Sequence, residues 1–260
     1  QGSGKMSGKK KWSDAMKENK YDDPLFFEKY SQMDRSKKGL DGAGEWKTLE
    51  NMLPDFQGKK VLDLGCGYGW HCEYAADHGA AEVTGVDISE KMLEEARKSH
   101  KKGNTTYICC PIEDIDFEEA SFDIILSSLA FHYIENYEEI VDKIHKLLKP
   151  GGYLVFSAEH PVFTAEGSQD WYYDENGKIL HFPVDNYYYE GKRNAVFLGE
   201  PVTKYHRTFT TYISVLLKKG FRLVDVEEPQ PPEEMLDTVP GMKDEMRRPM
   251  MFLVSAQKEK

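Results

Sequence analysis

Val61-Leu62-Asp63-Leu64-Gly65-Cys66-Gly67-Tyr68-Gly69-Trp70 decides the reading of this chain. A short apolar run meets three alternate glycines and passes straight into an amphipathic stretch, the pattern of a strand that turns into a helix. Glycines there let the backbone take a tight turn and come close to a ligand at the helix start. An ordinary strand-to-helix turn would account for the triplet alone, but its register adds information. A nicotinamide dinucleotide fingerprint needs its third glycine at position 70, which is Trp, and the Gly-Lys-Ser/Thr of a Walker loop is absent. Asp87 follows 18 residues after Gly69, at the end of the next apolar run. A carboxylate there can accept from both hydroxyls of a ribose. Its alternative task, capping the next helix, already suits Ser89. Together these features favour an adenosine ligand without a pyrophosphate.

Outward from this stretch, short apolar runs alternate with longer amphipathic segments. The pattern predicts strands at Lys60–Leu64, Glu82–Asp87, Thr105–Cys110, Asp123–Ser127 and Gly152–Ser157. Helices are predicted at Trp70–His78, Ser89–His100 and Asn136–Leu148, the last opened by a capping box of Asn136 and Glu139. Ile124-Ile125-Leu126 is continuously apolar, as required of a strand covered on both faces. Strand–helix alternation predicts a single Rossmann-like, doubly wound α/β domain over residues 57–260. Its seven-stranded sheet is expected in the order 3-2-1-4-5-7-6 with only the last strand antiparallel, strands six and seven being Phe221–Val226 and Pro249–Ala256. The regular pattern breaks at His160. Residues 160–204, aromatic-rich and without a period, form an insertion after strand five, Arg207–Lys219 a helix, and Pro-rich Glu227–Arg248 a long loop. Upstream, residues 12–56 read as a helical lid: Asp23-Pro24 starts a helix with Phe26, Phe27 and Tyr30 on one face, and Glu45–Leu53 gives another. Residues 1–11 read as a tag remnant and flexible terminus, with Met6 the native start.

Asp63-x-Gly65-x-Gly67-x-Gly69 with Asp87 resembles the cofactor signature of the class I S-adenosylmethionine-dependent methyltransferases. Ile112-Glu113-Asp114 resembles their third-strand segment, which brackets the adenine with an apolar and an acidic residue. Phe122-Asp123 through Phe131-His132-Tyr133 is similar to the fourth-strand region, and Leu148-Lys149-Pro150-Gly151-Gly152 to the turn into strand five. The likeness covers about residues 58–158. It implies S-adenosyl-L-methionine as cofactor and S-adenosyl-L-homocysteine as product. The cofactor positions it implies are Asp63, Gly65, Cys66, Gly67 and Gly69; Asp87, Ile88 and Met92; Ile112, Glu113 and Asp114; and Ser127, Leu129 and His132. Tyr30 and Arg35 are implied in a lid over it. The insertion and the ends look like a bacterial small-molecule, methyltransferase type 11-like branch, which names no acceptor.

Methyl transfer from a sulfonium relies mainly on proximity and alignment, so a general base is optional. Candidates for catalysis are His132, after strand four, and His160, directly after strand five; either can equally be a wall or packing residue. Substrate contacts are expected from His160, Trp171, Tyr172, His206 and Arg207, the last pair suited to an acidic acceptor or merely to the start of a helix. The aromatics of the insertion can wall an acceptor pocket or form a minor core. His71, His78, His100, His145 and His181 have no constellation around them and read as surface or packing residues.

A net charge of −11 with no clustered basic residues beyond Lys9-Lys10-Lys11 argues against nucleic acid as partner. Four cysteines lack paired zinc spacing, so no metal is expected, and Cys109-Cys110 reads as a buried strand end in a reducing compartment. No apolar run approaches the roughly 20 residues that span a bilayer, and no leader is visible, so the expected location is cytoplasmic without a membrane partner. A monomer and a homodimer remain open. The expected function is methyl transfer to a small-molecule acceptor; a catalytically silent cofactor-binding module and an RNA or protein methyltransferase are the alternatives. The latter lacks a basic face and an Asn-Pro-Pro-Tyr type motif where Ser127-Ser128-Leu129-Ala130 stands.

Overall fold

A computed structural model describes residues 19–100 and 102–259, so the expected terminal segment 1–11 and residues 12–18 of the expected lid lie outside the described residues. The described chain enters through α1 (Pro24–Ser31), α2 (Asp34–Lys38) and α3 (Trp46–Met52). Asp23 caps α1, its Oδ1 accepting from the N–H groups of Leu25 and Phe26 at 3.0 Å, with Pro24 where no N–H is needed. The spacing of Trp46, Leu49 and Met52 buries one face of α3 against the core.

β1 (Lys60–Leu64), α4 (Trp70–Asp77), β2 (Glu82–Asp87), α5 (Glu90–Ser99), β3 (Thr105–Cys109), β4 (Phe122–Ser128), α6 (Tyr137–Leu147) and β5 (Leu148–Glu159) follow. β1 to β5 are parallel and pair in the order 3-2-1-4-5. Both sheet faces are buried: Leu62, Ile125 and Phe156 join the core of α6, and Val61, Ile124 and Val155 that of α3 and α4. Two local expectations need correction. Asn136 stands at the N-cap of α6 without a side-chain cap bond, so the capping box does not form. Cys109 is exposed and Cys110 half-buried, because β3 is an edge strand with few neighbours to cover its end.

Beyond β5 come α7 (Pro161–Thr164), β6 (Tyr172–Tyr173), β7 (Ile179–His181), β8 (Gly191–Phe197) and β9 (Glu200–His206). The segment read as aperiodic therefore forms two antiparallel hairpins. Leu198 and Gly199, both at positive φ (53° and 80°), make the two-residue turn of the second, the geometry that matches strand twist. α8 (Phe209–Lys218), β10 (Phe221–Glu227), α9 (Glu233–Thr238), α10 (Met242–Glu245) and β11 (Met251–Lys258) complete the chain. Two short helices thus interrupt the expected Pro-rich loop, α9 beginning immediately after Pro232. Thr208 caps α8, so Arg207 precedes the helix rather than opening it. β11 lies antiparallel between β5 and β10, which gives seven strands in the topology expected from the sequence. No described helix is long and apolar enough to cross a membrane. The carboxyl ends of β1, β2, β4 and β5 share one rim, where open α/β sheets hold ligands.

Candidate functional site

A cavity of about 680 Å³ lies along this rim. Its floor begins at the glycine turn. Gly65 (φ 75°) and Gly67 (φ 52°) take left-handed torsions, and a Cβ on Gly65 would fall 2.7 Å from Ala130 Cβ. The N–H groups of Gly65 and Cys66 both donate to Val86 O, at 2.8 and 3.0 Å, which holds the turn against β2. Asp87 ends β2 with Oδ2 accepting from Gly67 N–H at 2.8 Å and Oδ1 from Ser89 N–H at 2.9 Å. Each carboxylate oxygen keeps a second acceptor direction. Burial raises the Asp87 carboxyl above its ordinary range, against the pull of the Ser89 and Gly67 N–H groups. Ile88, Met92, Ile112 and Glu113 continue the wall.

Several positions singled out with these do not line the cavity. Gly69 makes room for Tyr107 behind the turn, and Ser127 Oγ–H donates to Leu64 O at 2.9 Å, tying β4 to β1. Cys66 is buried beneath the turn, and Asp114 ends a short 3-10 turn beside the wall. Asp63 is also buried: Cys72 Sγ–H donates to Oδ2 at 3.4 Å, while Oδ1 has no hydrogen-bond partner among the described residues. Burial pushes this carboxyl up to about 7, with Asp87 adding to the rise and Cys72 opposing it. Between the ordinary aspartate range and that value, the folded chain holds a proton that the unfolded chain has lost. Stability conferred by that proton is complete below the unfolded pKa and is lost as pH rises through the folded one. Urea midpoints should therefore fall from about pH 5 to about pH 8 more steeply for the wild type than for Asp63→Asn. Parallel pH profiles would show that Asp63 does not titrate there.

After β4, Leu129 takes the left-handed region (φ 52°) although it carries a side chain, a conformation that concentrates at functional sites. Its N–H donates to Ser157 O at 3.0 Å and to Ser157 Oγ at 3.1 Å, which holds the strained turn. His132 follows in a short 3-10 turn and is fully enclosed apart from its cavity edge. Burial lowers its pKa to about 4, so the ring is neutral near pH 7, with Glu159 opposing the shift and Lys204 and Arg207 adding to it.

Tyr30 and Arg35 close the cavity from the amino-terminal side, where Arg35 Nη2 donates to both oxygens of buried Glu45, at 2.6 and 2.9 Å. Phe197 and Val202 of the second hairpin also line the cavity and pack with Phe26 and Tyr30 on this side, whereas Trp171 and Ile179 bring the first hairpin to the rim, where Met242, Met250 and Met251 add to an apolar end. The other expected acceptor residues lie elsewhere, which corrects their assignment. His160 caps α7 through Nδ1, its Nε2 is 2.7 Å from Glu228, and Phe209 stacks on the ring. Tyr172 is exposed on β6 and stacks on His181. His206 sits between Thr164 Oγ1 and Tyr187 O, at 2.7 and 2.8 Å. Arg207 donates to backbone carbonyls of Phe131, Ile134 and Glu135 and is buried beneath the turn that carries His132. Glu45, Tyr133 and Glu159, not singled out from the sequence, do line the cavity. Among the described residues no group of three or more His, Cys, Asp or Glu side chains converges as a metal site would require.

A family model described as a methyltransferase domain matches residues 62–156. A solved S-adenosylmethionine-dependent methyltransferase from Mesorhizobium loti is 41% identical, with a TM-score of 0.78 over 85% of this chain and all of that one. A Listeria monocytogenes protein whose structure is described under the same activity is 55% identical, with a TM-score of 0.82 over 85% of this chain and all of that one. A ubiquinone biosynthesis O-methyltransferase from Neisseria meningitidis is 34% identical over 164 residues, 52% of this chain and 69% of its own length.

Proposed function

This chain belongs to the S-adenosylmethionine-dependent methyltransferases, and from that premise we propose that it methylates a small, largely apolar acceptor bound beneath the two hairpins. The cofactor supplies a methyl group already activated on a sulfonium, so the protein's work is to bind, align and exclude water. The residues of the glycine end fit an adenosyl group. Nothing stands within 4 Å of where a Cβ of Gly67 would be, so backbone can meet ligand there. Asp87 has two acceptor directions left for two ribose hydroxyls, and Ile112 with Glu113 offers an apolar and an acidic neighbour for adenine. Tyr30 and Arg35 would close over this end.

One observation carries the acceptor reading: the cavity lined by Asp87 is also lined by His132 and Glu159 and by the apolar side chains of Trp171, Ile179 and Met250. A volume of about 680 Å³ suits small-molecule ligands, and a mostly apolar wall with few polar groups is the usual makeup of such sites. The charges at the apolar end are compensated: Asp244 pairs with Arg247, and Glu245 with Arg248. A small neutral molecule suits that surface better than a polyanion, which agrees with the net charge of −11.

Incubation with methyl-labelled S-adenosylmethionine and a metabolite extract should place label in low-mass products. Trp171→Ala should then lower kcat/KM for the identified acceptor about tenfold, from lost burial worth about 1.5 kcal/mol. Label confined to RNA or protein, or an unchanged kcat/KM, would contradict this reading.

A further inference from the structure

Successive side chains of a strand leave on opposite faces, so the last residue of β5 and its successor do not share a direction. Glu159 opens on the cavity, whereas His160 turns away to Glu228 and Phe209. Two residues from the segment after β5, neither lining the cavity, hold the Glu159 carboxylate. Lys204 Nζ donates to Oε1 at 2.6 Å, and Gln169 Nε2 donates to Oε2 at 2.6 Å. Lys204 also donates to Gln169 Oε1 at 2.7 Å, which closes a ring of hydrogen bonds around the carboxylate. One acceptor direction on each Glu159 oxygen is left for another donor. Burial alone would raise this carboxyl, but the His132 ring and the Lys204 ammonium hold it below the usual glutamate range.

His132 is arranged to donate. The backbone N–H of Glu159 donates to its Nδ1 at 3.3 Å, so the neutral ring carries its proton on Nε2, 3.8 Å from Glu159 Oε1. Neither ring nitrogen is then left free to take a proton.

Resting on the cavity reading above, we propose that Glu159, not His132, receives the acceptor's hydrogen, and that the acceptor presents a neutral hydroxyl or amine there, not a carboxylate. As the acceptor's oxygen or nitrogen lone pair bonds to the methyl carbon, the carbon–sulfur bond breaks with its electron pair left on sulfur. The acceptor's proton ends on a Glu159 carboxylate oxygen. His132 is a positioning residue that presents an N–H beside it. A carboxylate acceptor would meet the ionised Glu159 in a water-poor site, and Lys204 behind it is already engaged.

Three measurements on the protein saturated with S-adenosylhomocysteine test this. The long-range imidazole nitrogen NMR spectrum, with His132 assigned by its loss in His132→Gln, should show the Nε2–H tautomer unchanged from about pH 5.5 to about 8.5. A proton on Nδ1, or titration in that range, overturns the proposal. By calorimetry, naphthol or naphthylamine should bind at least about tenfold tighter than naphthoate, since like charges in a dry site repel. Naphthoate binding as tightly overturns the proposal; failure of all three counts against the apolar cavity instead, and the imidazole spectrum then decides. Because Glu159→Gln alone strands the Lys204 charge, the third measurement uses Glu159→Gln/Lys204→Met, which removes both. This variant should bind S-adenosylhomocysteine within about twofold of the wild type yet lose the preference for naphthol over naphthoate. Retained preference overturns the assignment to Glu159.

Discussion

Arg207→Ala should cost about 3–5 kcal/mol of stability, because it strands several buried carbonyl groups, each worth ~1–3 kcal/mol when unsatisfied. The guanidinium is buried and donates to Phe131 O at 3.3 Å, to Glu135 O at 2.8 Å and to Ile134 O. It also lies 5.4 and 5.7 Å from the ring centroids of Tyr137 and Tyr212. Those carbonyls belong to the turn that carries His132 and Tyr133 to the cavity, so Arg207 supports the site from behind. A chain of this size should show a melting temperature lower by on the order of 10 °C. Arg207→Lys should recover only part of the loss, since an ammonium cannot span carbonyls that a planar fork reaches. An unchanged melting temperature for Arg207→Ala would show the turn to be held by something else.

Asp87→Ala should weaken S-adenosylhomocysteine binding by about 1.5–3 kcal/mol, the range for hydrogen bonds to a charged group. The substitution removes the two proposed ribose contacts. It also releases the N–H groups of Gly67 and Ser89, so the glycine turn loses its anchor to β2. Asp87→Asn keeps one acceptor oxygen and should show a smaller loss. Calorimetric titration measures both, and unchanged affinity in folded Asp87→Ala would move the ribose contact elsewhere.

What the sequence made legible is local. The glycine register, Asp87 and the apolar strands are each set by residues close in the chain, and strand–helix alternation makes β1 to β5 parallel with crossovers of one hand. The hairpins were hidden for a physical reason. β9 alternates with Val202, Lys204 and His206 inward, but two of these are polar and become burial-competent only through distant partners. Lys204 finds Glu159, and His206 finds Thr164 and the Tyr187 carbonyl. The same period separates Glu159, which the sequence did not single out, from His160: a difference of one residue at the end of a strand reverses the face. His160 draws attention in a sequence, yet it is Glu159 that faces the cavity. Arg207 misled likewise, because nothing local signals that its guanidinium serves backbone carbonyls more than seventy residues away.

We place the cofactor over the glycine turn with its reacting end toward the β4–β5 rim. A crystal structure with S-adenosylhomocysteine bound tests it most directly. Both ribose hydroxyls are expected on the Asp87 carboxylate, adenine beside Ile112, and the sulfur facing the part of the cavity between His132, Glu159 and Trp171. A ribose away from Asp87, or a sulfur turned from Glu159 and the hairpins, would contradict it.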